Sequence, residues 1–367
     1  DNDPKNAWGY WKVGMLDFQQ GNYSEAQTHL QHFLSFDKQS EKRIKSANSL
    51  LANCVFALEA LQKPVPFQPK NMGEEINSKW EEYLPSISAD GSLFVFTRRG
   101  PHQKNIISED FYASTLKEGE WTAAENLGQT LNTFGNEGAQ CLSSDGKILF
   151  FTACDREDGY GRCDIYVSFF GVQGWSPAQN IGPSVNSPNW ESQPSISPDG
   201  KELYFVSNRP GGKGKMDIWK SVLTPQGSFG KPVNLGKLIN TADDEMSPFV
   251  HMDNQTLYFA SKGHVGMGDF DLFLSRRTQS QEKWTYPENL GYPINTHEVE
   301  NSLIVASDGQ TAYFASDKSG YGQEDIFWFE LPESAQPNQV DGLELDIISK
   351  ESGAEIILEN VHFAHNS

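Results

Sequence analysis

The stretch SISPDGKELYFVSNR (195–209) holds a short polar-apolar run, an Asp-Gly turn at Asp199-Gly200, and a second, continuously apolar run. Strand, turn and strand are expected from such a pattern. The same Asp-Gly turn closes SISADG at Asp90, LSSDG at Asp145 and IVASDG at Asp308, and HMDN fills the remaining slot at Asp253. The five aspartates stand 55, 54, 54 and 55 residues apart. A fixed period means one supersecondary unit repeated, not one large core.

Each copy continues into a third run such as DIYVS (164–168). A fourth run opens on an aromatic (Trp121, Trp175, Phe229, Trp284) and reaches Asn-hydrophobe-Gly at Asn126, Asn180, Asn234 and Asn289. Four short strands per unit is the content of a propeller blade, so the fold class expected is mainly β, a five-bladed β-propeller. The fifth copy lacks its fourth run and stops near Leu331. Upstream, NMGEEINS (71–78) sets Asn71 and Asn77 each 55 residues before Asn126 and Asn132, with Phe67 in place of the aromatic. The missing strand is therefore expected from residues 64–80, closing the blade of 297–331 and leaving no free sheet edge. The ring is assigned to residues 64–332.

Residues 1–63 change period. Trp8, Trp11, Met15 and Phe18 recur at helical spacing, Gly21-Asn22 breaks the run, and Ser24 with Gln27 fits a capping box for a second helix. Ile44, Ala47, Leu51, Cys54, Val55 and Leu58 mark a third. Gly14, Ala26 and Leu30 fall where a tetratricopeptide repeat places its small and apolar contacts, so the segment resembles one and a half such repeats. Such helices serve as a cap packed on the propeller, as a groove for a partner peptide or helix, or as both. Residues 333–339 read as a polar linker. Residues 340–367, VDGLELDIISKESGAEIILENVHF onward, alternate like two strands with a turn at Ser352-Gly353. Because so few residues cannot form a stable sandwich, they are expected to begin a β-sandwich domain that is incomplete here, or to form a small β appendage docked on the ring.

Composition narrows the function. The 367 residues are 37% hydrophobic and 21% charged with a net charge of −20, ordinary for a folded chain but hostile to a phosphate backbone. Arg98-Arg99 and Arg276-Arg277 are isolated pairs, so no nucleic-acid partner is expected. No apolar run approaches a membrane span and no basic-then-apolar leader precedes Asp1; the expectation is a soluble chain whose leader is already removed. Cys154 and Cys163 flank DREDGYGR (155–162) at the facing ends of two successive strands, within reach of a disulfide. A zinc pair is the rival reading, though it needs two further soft ligands. A disulfide implies an oxidising compartment.

No HExxH, GxSxG, Walker loop or dinucleotide fingerprint occurs, so no catalytic residue and no cofactor is assigned. Gly212-Lys213-Gly214 reads as a lone glycine-rich turn, and His29 and His32 as a solvated helix face. The strongest acidic constellation is Glu82, Glu137, Glu191, Glu245 and Glu300, one before each first strand. Symmetry would bring them into a ring, either a cation or ligand site at one mouth of the channel or a set of acceptors for backbone N–H groups that lock neighbouring blades. A glycosidase needs unequal carboxylates, whereas a repeated residue supplies equal ones. Asp110, Asp164, Asp217, Asp271 and Asp325 are read as turn and strand-start residues by the same logic.

The 195–209 stretch resembles the repeat of TolB-like propellers, and TACDREDGYGRCDIY (152–166) with NIGPSVNS (180–187) is similar to the propeller of OmpA-family periplasmic proteins. Tetratricopeptide helices, this propeller, then a carboxypeptidase-regulatory-like β domain from about residue 340 is an order that looks like the lipoprotein subunit of the type IX secretion system and its relatives. The resemblance implies a non-enzymatic periplasmic scaffold linking an envelope assembly, a secretion or gliding machine, to the outer membrane and cell wall. Partners would be envelope proteins, met on the helices and on loops such as 100–110 and 262–270. Peptidoglycan would be gripped only through an OmpA-like domain outside these residues, and membrane association would be indirect. The alternatives are a carbohydrate- or metal-binding propeller and a five-bladed glycan-active enzyme. Trp121, Trp175 and Trp284 are read as core rather than as sugar-stacking platforms.

Overall fold

The computed structural model describes residues 6–101, 107–277, 283–317 and 320–338. The β domain expected over 340–367 lies outside the described residues. Three helices, α1 (Ala7–Gln19), α2 (Tyr23–Leu34) and α3 (Glu41–Gln62), precede a five-bladed β-propeller. Each blade is an antiparallel sheet whose inner strand lines the axis: Glu81–Ile87, Glu137–Leu142, Glu191–Ile196, Glu245–Val250 and Ile304–Val305. In the fifth blade Lys70–Asn71 pairs antiparallel with Asp325–Glu330, so the outermost strand comes from upstream of the first blade. Phe67 packs on Phe314 and Phe329 with ring centroids 5.8 and 4.8 Å apart. In blades 1 and 2 the third strand runs long enough to pair with an additional two-residue strand, Glu120–Trp121 or Gly174–Trp175.

Two repeated devices explain why this period makes blades. At each inner hairpin the residue after the aspartate has positive φ: Gly91, Gly146, Gly200 and Gly309 near 69°, and Asn254 at 53°. Glycine takes that conformation without penalty and asparagine tolerates it, so Asp-Gly and Asp-Asn are interchangeable here. At each outer strand a pair of asparagines completes the sheet. The Asn186 side chain accepts the Ile165 N–H at 2.9 Å and donates to the Ile165 C=O at 2.8 Å, as a strand backbone would. Asn180 orients it, accepting its amide at 2.8 Å and the Gly182 N–H at 2.9 Å. Asn77, Asn132, Asn240 and Asn295 do the same for Ile326, Phe111, Ile218 and Leu272.

The helices are docked on the propeller. Phe18, Tyr23, Leu30, Phe33 and Cys54 form one cluster that takes in Met267 from blade 4, and Tyr23 donates to the Met267 C=O at 2.9 Å. Gly14 allows α1 to lie against α2, since a Cβ there would sit 2.8 Å from Leu30 Cγ. Two local expectations are corrected. Asn22 holds the N-cap position of α2, and Ser24 lies inside the helix with its C=O accepting from Thr28 Oγ1 at 3.0 Å. Trp8 and Val55 lie on α1 and α3 as their spacing indicates, and both are half exposed. The stretch read as a linker is held down over 333–338: Ala335 is buried, its C=O accepts from Tyr258 Oη at 2.7 Å, and Asn338 N–H bonds Asp253.

Candidate functional site

The axial channel is narrow. Its cavity is about 50 Å³, room for a few waters, and its described lining includes none of the five ring glutamates. At the hairpin end it is closed by contacts between turns: Ala89 N–H to Ser144 C=O at 3.0 Å, Ser144 Oγ to Pro198 C=O at 2.9 Å and to Met252 Sδ at 3.5 Å, and Ser307 Oγ to Ala89 C=O at 2.5 Å. The inner strands of blades 1–4 each contain one residue of positive φ, Leu84, Ala139, Gln193 and Ser247, where a register shift marks a bulge, and in blade 5 Ser302 takes the same conformation just before Ile304–Val305. Such bulges re-aim side chains, and here they let Ser86, Cys141 and Ser195 reach the next blade, accepting the N–H of Leu142, Ile196 and Val250. Cys141 thus does a serine's work, its thiol pushed up to about 11 by burial.

The five glutamates are turned into their own inter-blade loops. Glu191 accepts the Ser187 N–H at 2.7 Å and the Ser187 and Ser207 hydroxyls at 2.8 and 2.7 Å, and pairs with Arg209 at 2.9 Å. Glu82 and Glu137 repeat this with Ser78 and Arg98, and with Thr133 and Arg156. Glu245 takes Thr241 and Ser261 and has no guanidinium; burial pushes it up to about 7. Glu300 takes the Thr296 N–H and hydroxyl. Among the described residues no three His, Cys, Asp or Glu side chains are grouped to hold a metal.

The turn at Gly212-Lys213-Gly214 is not alone. Gly-x-Gly-x-x-Asp recurs at Gly159, Gly212, Gly266 and Gly320, a period the sequence displays once the third-strand aspartates are aligned. Asp164, Asp217, Asp271 and Asp325 accept the N–H groups of the x residue and second glycine of their loops. That second glycine presses on the next blade. A Cβ on Gly161, Gly214, Gly268 or Gly322 would lie 2.1, 1.9, 2.4 or 1.9 Å from the carbonyl oxygen of Asn189, Asp243, Glu298 or Trp80. Cys154, which ends the second strand of blade 2, and Cys163, which begins the third, are joined by a disulfide, while Cys54 and Cys141 are free. His29 bonds Asp17 at 2.6 Å and His32 packs on Tyr10.

The loop face therefore carries the surface available for recognition. The helices cover it at Met267, which lies within the 262–270 loop expected to meet partners and is buried. Elsewhere it exposes Ile107, Phe134, Val299 and Tyr321. A cavity of about 720 Å³ on this face lies where blade 5 meets blade 1, with Phe67 and Phe314 on its walls and Glu81, Glu298, Glu300 and Glu324 on its lining. Its carboxylates differ. Glu324 is pushed up to about 7 by burial and by the charges of Glu81 and Asp317, whereas Glu81 pairs with Arg99 at 3.0 Å.

No protein-family model matches the chain, and no curated protein does. Among solved structures it is similar to the putative TolB of Agrobacterium tumefaciens, 14% identical over 73% of this chain and 85% of that one with a TM-score of 0.46. TolB of Acinetobacter baumannii is 14% identical over 80% and 71%, TM-score 0.44. The catalytic domain of the Coprinopsis cinerea GH62 α-L-arabinofuranosidase is 10% identical over 73% and 98%, TM-score 0.47. At these values the likeness says nothing about activity or location.

Proposed function

We propose that this protein is a non-enzymatic periplasmic scaffold, linking an envelope assembly of the secretion or gliding kind to the outer membrane and cell wall. The observation that carries the reading is the use made of the repeated polar residues. Ring glutamates, third-strand aspartates and paired asparagines bond loops and strands, building a closed disk with helices docked on one face. A rigid disk that presents apolar side chains on its loops suits recognition, and the disulfide suits an oxidising compartment. Partners would meet the loop face around Phe134 and Tyr321 and the free sides of the helices, while wall contact would come from a domain outside these residues. Crosslinking in intact cells from those positions, followed by mass spectrometry, tests it. Envelope proteins of one assembly are expected, and finding none would end the reading.

A glycan-active enzyme is the second reading, favoured by the unequal carboxylates of the blade 5–blade 1 cavity. There Glu324 would act as the general acid. Turnover of a glycan by the purified protein, abolished in Glu324→Gln, would establish it; no turnover across neutral and acidic glycans would leave the scaffold.

A further inference from the structure

In a ring of repeats, residues that maintain the blades recur, and a residue serving one site breaks the pattern. Four residues that differ from their counterparts in the other blades meet at one seam, between blades 3 and 4. His264 stands where blades 1 to 3 place Arg98, Arg156 and Arg209. It takes over their backbone bond, Nε2 lying 2.8 Å from the Ile239 C=O as the arginines bond Ile76, Leu131 and Val185, but it brings no guanidinium to Glu245. Tyr286 replaces Ala123, Pro177 and Lys231. Lys213 replaces Tyr160, Met267 and Tyr321, and Lys237 replaces Glu74, Gln129, Pro183 and Tyr292. The seam holds a depression of about 450 Å³ beside His264. All four residues line it. Tyr286, 64% exposed, meets His264 edge to face at 5.8 Å and forms an aromatic wall, with Val265 on the lining. Lys215 is occupied by Asp243 at 3.7 Å; among the described residues no ion pair joins Lys213 or Lys237 to a carboxylate.

We infer that this seam binds a carboxylated saccharide. Lys213 and Lys237 receive the carboxylate, and Tyr286 packs against the sugar ring, an arrangement of one apolar wall and a few convergent polar groups. Two free ammonium groups in a chain of net charge −20 select an anion, and the exposed ring beside them selects a cyclic ligand over an extended acidic peptide. The inference goes beyond the scaffold reading and can fail without it.

Titration calorimetry of the whole chain with trigalacturonate, N-acetylmuramic acid, neutral maltotriose and triglutamate tests it. Binding of either acidic sugar is expected, and which one binds separates a uronate polymer from a wall sugar as the source; maltotriose and triglutamate should be at least tenfold weaker. Lys213→Tyr, Lys237→Gln and Tyr286→Ala each install a residue found at the same place in another blade, so the fold should persist with an unchanged melting temperature. Each should weaken the acidic sugar at least tenfold. No binding of either acidic sugar, affinity unchanged in all three variants, or triglutamate bound as tightly would overturn the assignment.

Discussion

Glu191 and Glu245 occupy equivalent positions yet differ in one respect, the guanidinium. Removing the charge of Glu191 strands Arg209, whose side chain is 12% exposed, whereas Glu245 is held by a backbone N–H and two hydroxyls that an amide can also satisfy. Glu191→Gln should therefore cost about 3 kcal/mol, the range for breaking a buried ion pair, and Glu245→Gln less than about 1 kcal/mol at pH 7.5. Urea unfolding of both variants measures the difference; equal costs would show that the guanidinium is not the deciding partner. The repeated Glu was legible as an acceptor of N–H groups, but its hydroxyl and arginine partners come from loops the spacing did not connect. The positive-φ residues in the inner strands were not legible at all. Glycine marks such a conformation at the Asp-Gly turns, whereas Leu84, Ala139 and Gln193 carry no mark and are held by the surrounding ring.

Blade 5 is where an element depends on a distant piece of chain. Asn77 supplies the side-chain bonds that finish Asp325–Glu330, so Asn77→Ala leaves the Ile326 N–H and C=O without partners, at a cost of about 2–3 kcal/mol. Deleting residues 64–80 goes further and bares a strand edge. Aggregation on size-exclusion chromatography with loss of cooperative unfolding is expected, and a monomer with an unchanged melting temperature would refute the closure. In blade 2 the Cys154–Cys163 bond spans nine residues at the mouth of one hairpin, so the double serine variant should lose about 2–3 kcal/mol, the loop-closure value for so short a span. Non-reducing peptide mapping together with thermal unfolding checks both the pairing and the cost.

For the whole molecule, burial sets the pH dependence of stability. Glu245, Asp271 and Glu324 are each pushed up to about 7, first by burial and then by Asp217, by Glu300, and by Glu81 with Asp317. Unfolded carboxyls titrate near 4, so from about pH 4.5 to 7 the folded state binds more protons than the unfolded. The resulting stability is complete below the unfolded value and is lost as pH rises through about 7. The melting temperature should fall from pH 5 to pH 8, and Glu245→Gln should flatten part of that fall; a rise over the same interval would contradict the assignment. Below about pH 4 the trend reverses. Glu202, despite its burial, is held down to about 2 by Arg277, Lys220 and Tyr204, and loses its charge there.

The number of blades, the position of each turn and the origin of the closing strand follow from period alone, because every blade must repeat the same local chemistry to pack on its neighbours. Even the displaced outer strand was visible, since Asn71 and Asn77 keep the 55-residue spacing. Which surface is left for function was not visible, because that depends on where the helices dock, which seams a guanidinium fills and which turns close the channel. Met267 and Tyr321 hold the same place in the repeat, yet one is buried beneath α2 and α3 and the other stands exposed. Their difference is made by residues more than 200 positions away in the chain, and packing across that distance leaves no local signal in sequence.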